Sequence, residues 1–354
     1  MLKISDSRGN IIMHKLFCSF FIILFIFIFY ISDVQAQQTV GARNKYKIAK
    51  NMFYSGMYQD AEKELEAALK MDGHYADALW LMGLTKMALN KNEEAVECFR
   101  RVTAEQPKHY PARLYLANLY MSLNQQEKAS EQIEYYITNM PADPNGHYAK
   151  GVLEYSKGNL TNAIKLWDKS ISLNKDLPYP HYNRGIALFL LDKKDDAIKS
   201  IAKALELTSN ANNTYRFTLG YFKYLTDKKD EAMKEFKYIA EAEQETVEGL
   251  TSSGFVLFSE NKYDEALAKC DEAFKKNAEF TASMMLKAYI LEKQNKYDEA
   301  IEACNLIEKA DKNDKTATKY IEELKKAKIA YEEELKRQLE EEVEVEEDTE
   351  ETGE

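Results

Sequence analysis

Glycine and proline are scarce, at 13 and 6 residues in a chain of 354. With so few backbone breakers, a β-sandwich or a multi-domain α/β enzyme is excluded, and the abundance of Ala, Leu, Glu and Lys points to a strongly helical chain. The chain has only 4 cysteines and 5 histidines. No Cys-x-x-Cys, His-x-x-x-His or His-Glu-x-x-His spacing occurs, so no metal site is predicted. His147 and His181 fall at equivalent places of a repeat described below, with His74 and His109 near repeat junctions. Glycine-rich phosphate loops, a nucleophile elbow and convergent carboxylates are lacking as well, so the chain is predicted not to be an enzyme and to need no cofactor. The sequons Asn159-Leu160-Thr161 and Asn212-Asn213-Thr214 are short enough to arise by chance.

Basic excess is also missing. The net charge is −11, and the segment Glu340–Glu354 accounts for nearly all of it, with ten acidic residues and no basic one. The remainder is close to neutral and carries no basic stripe, which speaks against nucleic-acid binding. The tail, residues 343–354, is predicted to be disordered and solvated.

There is one long apolar run, Leu16–Ile31, preceded by Lys15 and followed by Val34-Gln35-Ala36. A basic flank, an apolar stretch and small residues at −3 and −1 describe a secretory signal over residues 1–36, cleaved between Ala36 and Gln37. The run is short for a bilayer span. If uncleaved it would be an anchor, the one membrane contact expected. Met13 offers an alternative start to Met1. The Lys-, Asn-, Tyr- and Ile-rich composition resembles exported proteins of Gram-negative bacteria. The expected location is therefore the periplasm, with secretion or anchoring as the alternative.

After a short linker, 37–41, a repeat occupies residues 42–313. Small residues recur at Ala49, Gly83, Ala117, Gly151, Gly185, Gly220, Gly254 and Ala288, a period of 34 with a single step of 35. That step falls in the polar stretch Ser209–Asn213. Twelve residues after each small residue stands an alanine, from Ala61 to Ala300, and four later a packing residue: Leu65, Phe99, Ile133, Trp167, Ile201, Phe236, Cys270 and Cys304. The i, i+4 spacing puts both on one helix face. Equivalent positions one repeat apart are too distant to bridge, so Cys270 and Cys304 are predicted to be buried thiols rather than a disulfide. Between the two helices stand Gly56, Asn90, Asn124, Gly158, Asp192, Asp227, Asn261 and Asn295, residue types that tolerate left-handed backbone.

The pattern resembles the tetratricopeptide repeat, with local examples in Gly56-Met57-Tyr58-Gln59-Asp60-Ala61, Tyr263-Asp264-Glu265-Ala266 and Tyr297-Asp298-Glu299-Ala300. The family's terminal proline survives only at Pro107 and Pro141. The resemblance implies an all-α, right-handed superhelical solenoid of eight repeats, starting near residues 42, 76, 110, 144, 178, 213, 247 and 281. Residues 314–342 are read as a capping and projecting helix, with Ala317, Tyr320, Ile321, Leu324, Tyr331 and Leu335 at helical spacing.

In this family the first helix of each repeat lines a concave groove. Carried over by position, that places Tyr46, Trp80, Leu114, Tyr148, Tyr182 and Phe217 at one equivalent site. Tyr115, Asn118, Asn183 and Tyr221 occupy neighbouring ones. Tyrosine gives contact area at low entropic cost, and asparagine can bond both donors and acceptors of a peptide. An equally open reading is that these aromatics pack between repeats. The family's carboxylate clamp is not matched: Arg43, Lys47 and Lys50 face Trp80, Leu81 and Pro111 where its partners should stand. The expectation is a binding scaffold of the cell envelope holding an unidentified protein or peptide. The alternative is a structural subunit of an envelope or secretion assembly, packing by its outer faces.

Overall fold

A computed structural model describes residues 39–310 and 316–351. The expected signal segment, with Ala36 and Gln37, lies outside the described residues. All regular structure in the described residues is helical. Two compact units divide at Pro141.

The first unit carries α1 (residues 39–54), α2 (Tyr58–Met71), α3 (Ala76–Ala88), α4 (Asn92–Glu105), α5 (Tyr110–Ser122) and α6 (Gln126–Asn139). The second carries α7 (Pro144–Ser156), α8 (Leu160–Leu173), α9 (Pro178–Leu190), α10 (Lys194–Leu207), α11 (Asn213–Leu225) and α12 (Lys229–Ala242). It continues with α13 (Val247–Ser259), α14 (Tyr263–Lys276), α15 (Thr281–Lys293), α16 (Tyr297–Ala310) and α17 (Thr316–Glu351). Odd-numbered helices up to α15 open a repeat and even-numbered ones close it.

The helix boundaries follow from local chemistry. Asp143, Asn212 and Thr246 cap α7, α11 and α13 by accepting hydrogen bonds from Asn145, Tyr215 and Gly249 N–H groups. His109 caps α5 in the same way, its Nδ1 accepting from the Ala112 N–H. Prolines sit in the first turns of α5, α7 and α9, where no intrahelical donor is lost. Each hairpin turns at one left-handed residue. Gly56, Asn90, Asn124, Gly158, Asp192, Asp227, Asn261 and Asn295 all have φ between 55° and 80°. The 35-residue step adds a second such device, with Ser209 and Asn210 both at positive φ between α10 and α11.

Within each repeat the paired helices cross over the recurring small residues. The eight alanines from Ala61 to Ala300 are fully buried, and so are their packing partners from Leu65 to Cys304. The approach is closest at Gly151, where an added Cβ would lie 2.5 Å from Trp167 Nε1. Cys270 and Cys304 are free thiols filling these packing positions. Burial pushes each up to about 12, so both stay protonated.

The last repeat is sealed by α17. Its Ala317, Ile321 and Leu324 are buried against Met284, Met285, Cys304 and Ile307. Tyr331 and Leu335, placed in the same cap by spacing, are instead exposed, because the buried surface of the helix ends at Leu324, about two to three turns earlier. The helix also runs to Glu351, past the expected boundary at residue 342 and into the stretch expected to be disordered. No glycine or proline interrupts the chain between Thr316 and Thr352, and glutamate is a good helix former, so nothing local ends the helix sooner. Among the described residues no helix is long and apolar enough to cross a membrane.

Candidate peptide-binding face

In the first unit, the side chains placed on the groove are mostly tied to their neighbours. The Tyr46 ring meets Tyr75 edge-on at 5.3 Å. Trp80 is enclosed by Phe99, His109 and Tyr115, with centroids 5.2, 4.7 and 5.2 Å away. Leu114 is half-buried, while Asn118 stands exposed. Arg43, Lys47 and Lys50 are exposed along α1.

The second unit builds a continuous ladder across α7, α9, α11 and α13. Asn183 Nδ2 donates to Tyr148 Oη at 2.9 Å, and the Tyr179 hydroxyl donates to Asn145 Oδ1 at 2.5 Å. The Tyr148 and Tyr179 rings meet edge-on at 4.5 Å. Tyr182 stacks on Tyr215 at 4.3 Å, and its hydroxyl lies 3.1 Å from Thr218 Oγ1. Because Thr218 spends its own proton on the Thr214 carbonyl, Tyr182 is the donor in that pair. Thr214 Oγ1 then donates to Glu248. Burial raises the phenol pKa of Tyr148, Tyr179, Tyr182 and Tyr215, keeping these hydroxyls protonated at neutral pH. Each ring is half-buried.

Both sequence-level readings therefore describe the same residues. Tyr148, Asn183 and Tyr182 are brought into one network, and Tyr221 continues it toward Phe255 at 6.2 Å. Phe217 is buried, in contact with Phe236 and Phe280, and offers no surface. The rungs supplied by Tyr179 and Tyr215 were missed, although Tyr179 lies one repeat period after Asn145 and could have been paired with it.

A second feature lies where α11, α13, α15 and α17 come together. A cleft of about 550 Å³ is lined by Tyr224, Phe255, Tyr289, Glu292 and Tyr320, with Asp227, Lys229 and Lys293 among its charged groups. Tyr224 and Tyr289 lie 5.9 Å apart, and Tyr289 and Tyr320 meet edge-on at 4.9 Å. The Tyr320 hydroxyl donates to Glu292 Oε2 at 2.6 Å. Periodicity alone gave no sign of this cleft, because Tyr320 comes from the cap rather than from a repeat.

The histidines remain apart: His74 pairs with Glu105 at 2.6 Å, and the half-buried His181 is shifted down by desolvation. Among the described residues no three His, Cys, Asp or Glu side chains gather as metal ligands.

Known proteins bear on the fold. None of the curated proteins matches the chain. Among solved structures, a tetratricopeptide repeat protein from Parabacteroides merdae ATCC 43184 matches with a TM-score of 0.57 at 15% identity, covering 71% of this chain and 99% of its own. Cut9-Hcn1, the hetero-tetramer of APC/C, matches with a TM-score of 0.53 at 16% identity, over 75% of this chain and 52% of that one. MamA from Desulfovibrio magneticus RS-1 matches with a TM-score of 0.44 at 20% identity, over 49% of this chain and 97% of its own. At these identities the likeness to the first two concerns fold alone. A family model described as tetratricopeptide repeat matches residues 52–108, 87–153 and 257–319, and one described as TPR repeat matches residues 151–192. With eight left-handed hairpin turns, buried small residues in a 34-residue phase and these matches, the chain belongs to the tetratricopeptide-repeat family.

Proposed function

We propose that this protein is an exported, non-catalytic interaction scaffold that holds an extended segment of a protein partner on the first helices of its second unit. The tyrosine ladder from Tyr148 to Tyr221 carries the reading. Its rings are already held by neighbours, so little side-chain freedom remains to be lost when a partner binds. Half-buried tyrosines leave part of their apolar area to a partner, and tyrosine is favoured in recognition surfaces. Export rests on the segment 1–36, and the periplasm is the compartment that this reading favours.

Photo-crosslinking in the native envelope tests the surface used. A benzophenone residue at exposed Thr214 on α11 should trap a defined protein adduct. The same probe at Lys237, exposed on the second helix α12, should not. Adducts from position 237 alone would overturn the groove reading in favour of a structural subunit that packs by its outer faces.

A further inference from the structure

The cleft between α11, α13, α15 and α17 has a chemistry that the ladder lacks. Four tyrosines line it, Tyr224, Tyr263, Tyr289 and Tyr320, and a ring face carries negative potential that attracts cations. Glu292 sits half-buried beside them with one carboxylate oxygen engaged by Tyr320. Its other oxygen accepts no hydrogen bond among the described residues. The protein's own Lys229 ammonium lies 6.0 Å over the Tyr224 ring, so that face already draws a cation. Lys229 is held there loosely, exposed and paired with Asp227 at 3.3 Å. Those two charges offset one another. Lys293 follows Glu292 on the helix but is exposed, leaving the Glu292 carboxylate as the charge among the rings.

We infer that this cleft is a binding site for an arginine side chain of the partner segment, the guanidinium lying against tyrosine and donating to Glu292. A planar guanidinium suits the site better than an ammonium, because it can stack on a ring while its N–H fork reaches a carboxylate oxygen. Burial pushes the Tyr224 phenol up to about 12 and raises Tyr289 and Tyr320 further, so the rings bring no phenolate charge of their own. The inference rests on the scaffold reading and gives the partner a required residue: an arginine positioned to reach α15 and the cap.

The test uses the full chain and two blocked pentapeptides, Gly-Ser-Arg-Ser-Gly and the same sequence with citrulline, which keeps arginine's shape but not its charge. Titration followed by NMR should show the arginine peptide binding about tenfold more tightly than the citrulline one. Glu292→Gln, nearly isosteric, should remove most of that difference, which comes from the charge of the carboxylate. Lys229→Gln should strengthen arginine binding about two- to threefold by removing a competing cation. Equal affinity for the two peptides, no binding of either, or arginine binding indifferent to Glu292→Gln would each overturn the inference. The scaffold reading fails separately: if Thr214 still traps a partner while the peptides are not distinguished, only the arginine site is lost.

Discussion

Replacing Trp167 by alanine is expected to destabilise the second unit by about 3–5 kcal/mol, the range for emptying a fully buried large aromatic site. Trp167 is 1% exposed and packs at the crossing of α7 and α8 with Ala163, Ala187 and the half-buried Tyr148 and Tyr155. Its indole N–H also donates to the Tyr148 carbonyl at 3.3 Å, so the change strikes the first rung of the tyrosine ladder. Because repeats are stabilised by their neighbours, hydrogen exchange should rise most in α7, α8 and α9 and least in α15 and α16. Uniform exchange throughout the unit would show that the repeats unfold as one block.

The opposing residue tells why that pocket has no slack. An added Cβ at Gly151 would meet the indole at 2.5 Å, and at Gly83 it would meet Phe99 at 2.6 Å. Where the partner is Leu65 or Ile133, the small residue is Ala49 or Ala117 instead. At these four crossings the larger partner faces the smaller residue, whereas Gly185 faces Ile201 and Gly254 faces Cys270. Gly151→Ala alone is expected to cost about 1–3 kcal/mol through overpacking. In a Trp167→Ile background the same change should cost much less, and thermal denaturation of the four proteins in that cycle would measure the coupling.

The second large effect is expected at Gly249. A Cβ there would sit 1.5 Å from the Glu243 carbonyl oxygen and 2.6 Å from its carbon, an approach that no rotamer can relieve. The turn must move, and with it the Thr246 cap, whose Oγ1 accepts from the Gly249 N–H at 3.0 Å. Gly249→Ala should therefore cost about 1–3 kcal/mol or more and unwind the first turn of α13. A variant with unchanged melting temperature would show that residues 243–246 adapt freely. Ala78, Ala112 and Ser283 stand at the same place of other repeats, so the restriction belongs to this turn and not to the repeat.

That contrast marks what sequence could reveal. The phase of small residues, alanines and turn residues carried the architecture, because each is demanded by a contact that recurs in every repeat. Gly249 carried no such signal, since its need arises from one turn folding back on one helix. The same division holds at the candidate site. Tyr148, Tyr182, Asn183 and Tyr221 were found by repeat position, whereas their burial depends on the size of residues across the repeat boundary. Tyr224, Tyr289 and Tyr320 form a cleft only because the cap delivers Tyr320 beside Glu292, and a period of 34 says nothing about a cap. The end of α17 was misplaced for a related reason: strong charge suggested disorder, but helix continuation is decided by backbone breakers, and none precedes Thr352.

Packing by neighbours also governs how the chain reaches this state. The helices of the second unit make their substantial contacts with elements one or two places away in the chain. Each contact closes only a short loop, so folding meets small closure entropies and should be fast for the chain's length. Each repeat needs only its neighbours to cover its faces, so the repeats can settle in succession while the remainder is still emerging from the ribosome. The cap is the exception, arriving last. Until Ala317, Ile321 and Leu324 dock, Met284, Met285 and Ile307 lack their cover, and a chain cut short before α17 would present that apolar face to chaperones and proteases.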